Sequence, residues 1–206
     1  MKIILEKVGK RYGSEWIFRN VNFTFETGHK YALIGPNGSG KSTMMKLISG
    51  GLLLTKGNMY FEEKGKKIPK ENTWPFVSFA APYIELIENF TLSELINFHF
   101  HFKKPLNGIR KENIIDLMEL QNHKDKYLKS FSSGMRQRVK LGLAIFTDSP
   151  ILLLDEPTSN FDKTACGWYQ QLINDYIDGR LLIIGSNQEE EYSFCNHKIS
   201  LIDFKL

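Results

Sequence analysis

The chain has 206 residues, of which 42% are hydrophobic and 24% charged, and its 27 Lys and Arg against 23 Asp and Glu give a net charge of +4. This is an ordinary globular balance, long enough to bury a core, and it excludes wholesale disorder. The basic excess is too small and too dispersed to argue for nucleic acid, so none is expected as a partner. The two cysteines, Cys166 and Cys195, exclude a disulfide-built scaffold and have no zinc spacing; reduced thiols are expected. The opening MKIILEKVGKRYG is too short and too charged for a signal peptide, and no run of about 18 apolar residues predicts a membrane span.

In chain order, residues 2–8 and 18–25 read as two strands, the second with Val21, Phe23 and Phe25 alternating onto one face. Residues 29–34 form an apolar strand that runs into a glycine-rich loop. A helix is predicted over 41–49, stopped by Gly50 and Gly51. Short strands are expected at 58–61 and 76–79. The pattern then turns helical from about 91 to 146. Thr91 and Glu94 form a T-x-x-E capping box. Residues 109–120 and 132–146 carry apolar residues at helical spacing, the latter with Met135, Val139, Gly142 and Leu143 on one side. Strands return at 151–154, 181–185 and 198–204, with a helix over 163–176 between the first two. The 151–154 run is continuously apolar, which suits a strand covered on both faces. The sum is an α/β chain, one domain over 1–206, with a helical subdomain inserted at 85–147.

Residues 35–43 hold the densest chemical signal. Gly35, Pro36, Asn37, Gly38, Ser39, Gly40, Lys41 and Ser42, followed by Thr43, fit G-x-x-x-x-G-K-[ST] in full. The glycines let successive N–H groups face inward, and the helix N-terminus behind them adds its positive end; both bind phosphate oxygens. Lys41 is placed to reach the β- and γ-phosphates, Ser42 to offer a hydroxyl to Mg²⁺, and Thr43 to add a phosphate contact. The motif alone specifies a nucleotide without specifying the chemistry.

A second acidic site follows in ILLLDE. Four apolar residues bury a strand and deliver Asp155 and Glu156 at its C-terminal end, the edge where open α/β sheets bind ligands. Asp155 is placed to hold Mg²⁺ and Glu156 to orient an attacking water. Two adjacent carboxylates are tolerated there because the metal offsets their repulsion. Asp155 comes 114 residues after Lys41, which fits an inserted lobe between the two motifs.

The segment FSSGMRQR, residues 131–138, precedes ILLLDEPTSNFD, and in this order with GPNGSGKS it resembles the ABC-type ATPase subunits over essentially the whole chain. The resemblance implies a P-loop NTPase ABC-type core with an N-terminal antiparallel β portion, binding ATP with Mg²⁺. It implies that Ser132, Ser133 and Gly134 clamp the γ-phosphate held by a second copy or close homologue, in a head-to-tail dimer. Residue chemistry agrees, since Ser132 can cap the helix, Gly134 permits close approach, and the helix end is positive. The resemblance further implies that Tyr12 stacks on adenine and that Ser159 to Asp162 couple the two subunits.

Three positions depart from that pattern. A metal-touching glutamine is replaced by Ala80 or Ala81. The switch histidine is replaced by Asn187, whose amide can hydrogen-bond a phosphate but cannot shuttle a proton as imidazole can. Ser133 and Met135 stand where Gly and Gln are usual. The expected function is ATP hydrolysis that powers a transporter whose integral membrane permease subunits are separate chains, at the cytoplasmic face of the membrane, with Glu156, Lys41 and Asn187 catalytic. Two alternatives stay open: an ATP-binding regulatory module with little turnover, and a soluble ATPase of the same family in DNA repair or translation.

Overall fold

A computed structural model describes residues 1–205. The described chain divides into two compact units. The first contains Met1–Phe79, Pro150–Glu156 and the residues from Gly179 onward; the second contains Ala80–Ser149 and Pro157–Asp178. The second unit thus contains the 85–147 segment and also takes in 157–178.

The first unit carries two sheets. Strands β1 (Lys2–Tyr12), β2 (Glu15–Glu26), β4 (Lys56–Glu63) and β5 (Lys66–Ile68) form an antiparallel sheet in the order β2-β1-β4-β5. A second sheet runs β6-β7-β8-β3-β9, from β6 (Val77–Ala80), β7 (Ile151–Asp155), β8 (Leu181–Gly185), β3 (Lys30–Ile34) and β9 (His197–Ser200). In it β7, β8, β3 and β9 pair in parallel. Every residue of β7 and β8 is buried, which is why both read as unbroken apolar runs rather than alternating ones.

Helix α1 (Lys41–Ile48) follows β3 and fills the space between the sheets. Met44, Met45, Leu47 and Ile48 share one core with Ile3, Leu5, Phe18 and Phe25 of the antiparallel sheet and Leu153 and Ile183 of the parallel one. Each such side chain contributes about 2 kcal/mol of gross burial. The β7–β8–β3 strands therefore end, at one edge, beside the helix that closes the glycine-rich motif.

The second unit is helical. Its elements are α2 (Leu92–Phe102), α3 (Ile114–Leu117), α4 (Ser133–Ile145) and α5 (Lys163–Tyr176). Thr91 and Glu94 make the reciprocal capping box expected from T-x-x-E. Ser132 caps α4 by accepting from the Met135 N–H at 3.2 Å, and Asp162 caps α5 by accepting from Ala165 at 2.8 Å. A Cβ on Gly142 would stand within 2.6 Å of two Met118 side-chain atoms, so α4 is glycine there to let Met118 lie against it. Gln137 is also on the buried face of α4, a polar residue not expected there. Its amide donates to the Pro157 carbonyl at 2.9 Å, which satisfies it.

Two expected elements differ. Residues 109–120 give only short helical turns, ended by Glu119 in the left-handed region at φ 57°. The strand expected at 198–204 stops at Ser200, and a 3₁₀ turn, Leu201–Phe204, takes over as Leu201 turns into the core. Short α6 (Glu189–Tyr192) and strand β5 were not anticipated; β5 is two lysines and an isoleucine, with no alternation to read.

His99 on α2 is half-buried. The Thr147 hydroxyl donates to the Leu143 carbonyl at 2.6 Å, so its oxygen accepts from His99 Nε2 at 2.8 Å, and that nitrogen carries the proton. Burial first, and then the Lys103 charge, depress the His99 pKa from 6.5 to about 4. The folded chain therefore resists a proton that the unfolded chain accepts, so stability is full above pH 6.5 and falls as pH drops toward 4. Urea unfolding across that window is expected to show this loss in the native chain and a smaller one in His99→Gln.

Candidate active site

The phosphate loop spans β3 and α1, and its geometry follows from its glycines. Gly35, Gly38 and Gly40 have φ of 141°, 77° and 104°, values that L side chains rarely adopt. Gly40 has a second reason, because a Cβ there would lie 2.7 Å from Ile17 and 3.0 Å from Phe18. Gly40 is also the N-cap of α1, and no side chain caps that helix. The first N–H groups of α1, on Lys41, Ser42 and Thr43, have no intrahelical acceptor. The loop thus presents a positive helix end without a carboxylate or hydroxyl of its own to neutralise it.

Lys41 is 5% exposed, and its ammonium donates to the carbonyls of Gly35 at 2.7 Å and Pro36 at 3.2 Å. Ser39 Oγ is buried inside the loop and finds no hydrogen-bond partner among the described residues. A buried orphan hydroxyl beside uncapped N–H groups fits a polyphosphate.

A cavity of about 230 Å³ lies against this loop, lined by Ile17, Asn37, Gly38, Gly40, Lys41, Ser42, Thr43 and Glu156. Glu156 follows β7 directly. Its N–H donates to the Gly185 carbonyl at 2.8 Å, and its φ of 44° puts a glutamate in the left-handed region. Such a residue stores about 1–3 kcal/mol of backbone strain, and strain of this kind clusters at functional sites.

Asp155 is 1% exposed and pairs in register with Gly185 of β8. A Cβ on Gly185 would lie 2.8 Å from Asp155 Oδ1, so the glycine leaves room beside that carboxylate. No group of three or more His, Cys, Asp or Glu arranged for a metal occurs among the described residues. A hydroxyl and one carboxylate are a sufficient protein share for Mg²⁺, which takes its remaining oxygens from phosphates and water. The donor set of Ser42 and Asp155 therefore fits that ion. Ala80 ends β6 and Ala81 follows it, both buried, and neither methyl carries a donor or acceptor.

Asn187, beyond β8, is exposed and donates from Nδ2 to Asn37 Oδ1 at 3.4 Å, so this residue, expected at the switch position, touches the glycine-rich loop. Tyr12 does not line the cavity. It stands half-exposed at the end of the β1–β2 hairpin, with the Lys10 ammonium 5.1 Å from its ring centroid.

The remaining predicted residues belong to the second unit. Ser132 and Ser133 are exposed at the start of α4. Ser132 accepts the capping bond but keeps its own O–H to donate. A Cβ on Gly134 would stand 3.3 Å from the Asn160 carbonyl, so the SNFD turn backs the start of α4.

A family model described as ABC transporter matches residues 18–159. The chain belongs to the ABC transporter family. Among its ABC relatives is the sulfate/thiosulfate import ATP-binding protein CysA of Halalkalibacterium halodurans, 29% identical over 187 residues, covering 85% of this chain and 52% of that protein. Another is the lantibiotic transport ATP-binding protein SrtF of Streptococcus pyogenes, 30% identical over 189 residues, covering 89% of this chain and 79% of that one. The chain thus spans about half the length of the CysA relatives it matches. Among solved structures it is similar to a putative ABC transporter ATP-binding protein from Pyrococcus furiosus, with TM-score 0.82 and 22% identity over the whole of both chains. It is likewise similar to the ATP-binding cassette MJ0796 in a dimeric post-hydrolysis state bound to ADP and Pi, with TM-score 0.83 and 24% identity over 99% of this chain and 96% of that one. These likenesses establish the ABC ATPase fold: mixed α/β, with the antiparallel portion, parallel core and helical unit described above.

Gly40 and Gly38 separate backbone strain from collision. Both are left-handed, but only at Gly40 would a methyl meet neighbouring atoms. Thermal unfolding is expected to rank Gly40→Ala below Gly38→Ala. The extra collision, about 1–3 kcal/mol, corresponds to roughly 2–12 °C in a chain of this size.

Proposed function

We propose that this chain is an ATP-binding and ATP-hydrolysing subunit that powers a membrane transporter whose spanning subunits are separate chains. The observation that carries this reading is the convergence of Lys41, Ser42, Thr43 and Glu156 on one cavity at the C-terminal edge of the parallel sheet. The relatives CysA and SrtF, an import and a transport ATP-binding protein, support it. Among the described residues no helix is long and apolar enough to cross a membrane. The chain would then sit peripherally at the cytoplasmic face of the membrane.

In this reading the loop N–H groups and the α1 N-terminus take the β- and γ-phosphates, and Lys41 turns from the Gly35 and Pro36 carbonyls to the phosphate oxygens. Ser42 and Asp155 would hold Mg²⁺, which supplies charge neutralisation at the phosphates. Glu156 accepts a hydrogen bond from the attacking water and aims it in line with the γ-phosphorus. The inward N–H groups and Lys41 stabilise the charge that develops there. Tyr12 offers an aromatic face for adenine.

The start of α4 completes the site in trans. Ser132 O–H, the N–H groups of Ser133 and Gly134, and the positive end of α4 clamp the γ-phosphate held by a second copy or a close homologue, head to tail. Ser133 and Met135 alter side chains there and leave the backbone donors in place. The dimeric form of the similar cassette MJ0796 supports this arrangement.

With hydrolysis blocked, the closed dimer accumulates. Glu156→Gln is expected to retain Mg·ATP binding, lose phosphate release by about 10²-fold or more, and run as a dimer with ATP in size-exclusion chromatography. A variant that stays monomeric at saturating ATP contradicts the shared site.

A second reading, nucleotide binding with little turnover, draws on Asn187 and on Ala80 and Ala81. Asn187 is tied to Asn37 and has no proton to relay. Slow or partner-dependent hydrolysis is therefore expected of the isolated chain. Steady-state phosphate release checks this: Asn187→His is expected to raise the rate, and a fast native rate that Asn187→Ala leaves unchanged contradicts it.

A further inference from the structure

The phosphate loop has a second lysine, and it comes from the far end of the first unit. After β9 the chain turns into the 3₁₀ segment Leu201–Phe204. Leu201 is 1% exposed and belongs to the core, and Phe204 packs against the same core. The Lys205 N–H closes the turn on the Ile202 carbonyl at 2.9 Å. These anchors fix where the next side chain goes.

That side chain reaches the phosphate loop. Lys205 Nζ donates to the Gly38 carbonyl at 3.1 Å. Ile202 Cγ1 lies 3.8 Å from where a Cβ on Gly35 would stand, so the same segment also covers the start of the loop. The Gly38 carbonyl and the Ser39 N–H belong to one planar peptide. Ser39 N–H donates to the Pro36 carbonyl at 3.1 Å. That peptide is therefore held at both ends, by Lys205 on its oxygen and Pro36 on its nitrogen. It needs holding, because Gly38 has φ 77° and no side chain to restrict it.

Compare the other lysine. Lys41 fastens the loop through the Gly35 and Pro36 carbonyls, and in the proposed mechanism it gives those bonds up when phosphates enter. The Lys205 bond is made to a loop carbonyl that Lys41 does not use. It also keeps an ammonium beside the loop, which raises the local potential for a polyanion.

We infer that Lys205 is a positioning residue for polyphosphate binding: it holds the Gly38–Ser39 peptide in the orientation that keeps the loop open, and its charge favours the polyanion. This rests on the proposed reading of residues 35–43 as a triphosphate site.

The test uses the whole chain as wild type, Lys205→Met and Lys205→Arg. Calorimetric titration with Mg·ATP and with Mg·pyrophosphate is made at low and high salt, together with steady-state hydrolysis. Lys205→Met is expected to weaken both ligands by about five- to tenfold at low salt, and Lys205→Arg to stay within about twofold of wild type. The Met variant is expected to show the shallower salt dependence. The KM for ATP is expected to rise while kcat stays within about twofold. The melting temperature without ligand is expected to be unchanged, since Lys205 is exposed. A Met variant that binds both ligands as wild type does, an Arg variant as weak as Met, or a loss confined to kcat overturns the inference while the triphosphate site stands. A wild-type chain that binds neither ligand overturns the triphosphate site and this inference together.

Discussion

Helix α1 begins at a residue with no side chain, and the rest of the site depends on that. A serine or aspartate at position 40 would satisfy the first N–H groups of the helix from within, as Ser132 does for α4 and Asp162 for α5. Gly40 leaves them open, at the end of a strand buried among its neighbours. The chain holds this arrangement in place by burying Met44, Met45, Leu47 and Ile48 in the core shared with both sheets. These N–H groups face an open cavity, where a polyanion would find them ready to donate.

The parallel sheet brings the second half of the chemistry to the same place. Register pairs Asp155 with Gly185, and β3 lies on the other side of β8, so the loop after β3 and the carboxylates after β7 share one sheet edge. Glu156 departs from the strand with a strained backbone, which aims its side chain at the loop cavity instead of along the strand. The glycine at 185 leaves space beside the Asp155 carboxylate. Asn187 continues from the same strand to touch Asn37. Three consecutive sheet neighbours therefore supply the glycine-rich loop, the acidic pair and Asn187.

Much of this was legible in the sequence because the signals are local. GPNGSGKS specifies its own turn, ILLLDE specifies a buried strand with carboxylates at its end, and Thr91 with Glu94 specifies a helix start. Residues that act through distant partners were not legible. Nothing near Gln137 announces that its amide closes on the Pro157 carbonyl. Asn37 and Asn187 lie 150 residues apart and Gly38 and Lys205 lie 167 apart, so only the folded sheet makes them neighbours. Residues 198–204 read as strand, yet Leu201 is needed in the core and the chain tightens into a 3₁₀ turn to put it there. Residues 109–120 have helical spacing, but the Glu119 backbone breaks the helix just after Met118, which packs against Gly142.

Ligand-induced thermal stabilisation measures the phosphate dependence of this site directly, with Mg·ATP, Mg·pyrophosphate, AMP and adenosine compared on the unmodified chain. If the open N–H groups of α1 and the loop are the binding determinant, the melting temperature rises with ATP and with pyrophosphate and barely moves with AMP or adenosine. Equal shifts from ATP and AMP, or no shift from either polyphosphate, would contradict the account.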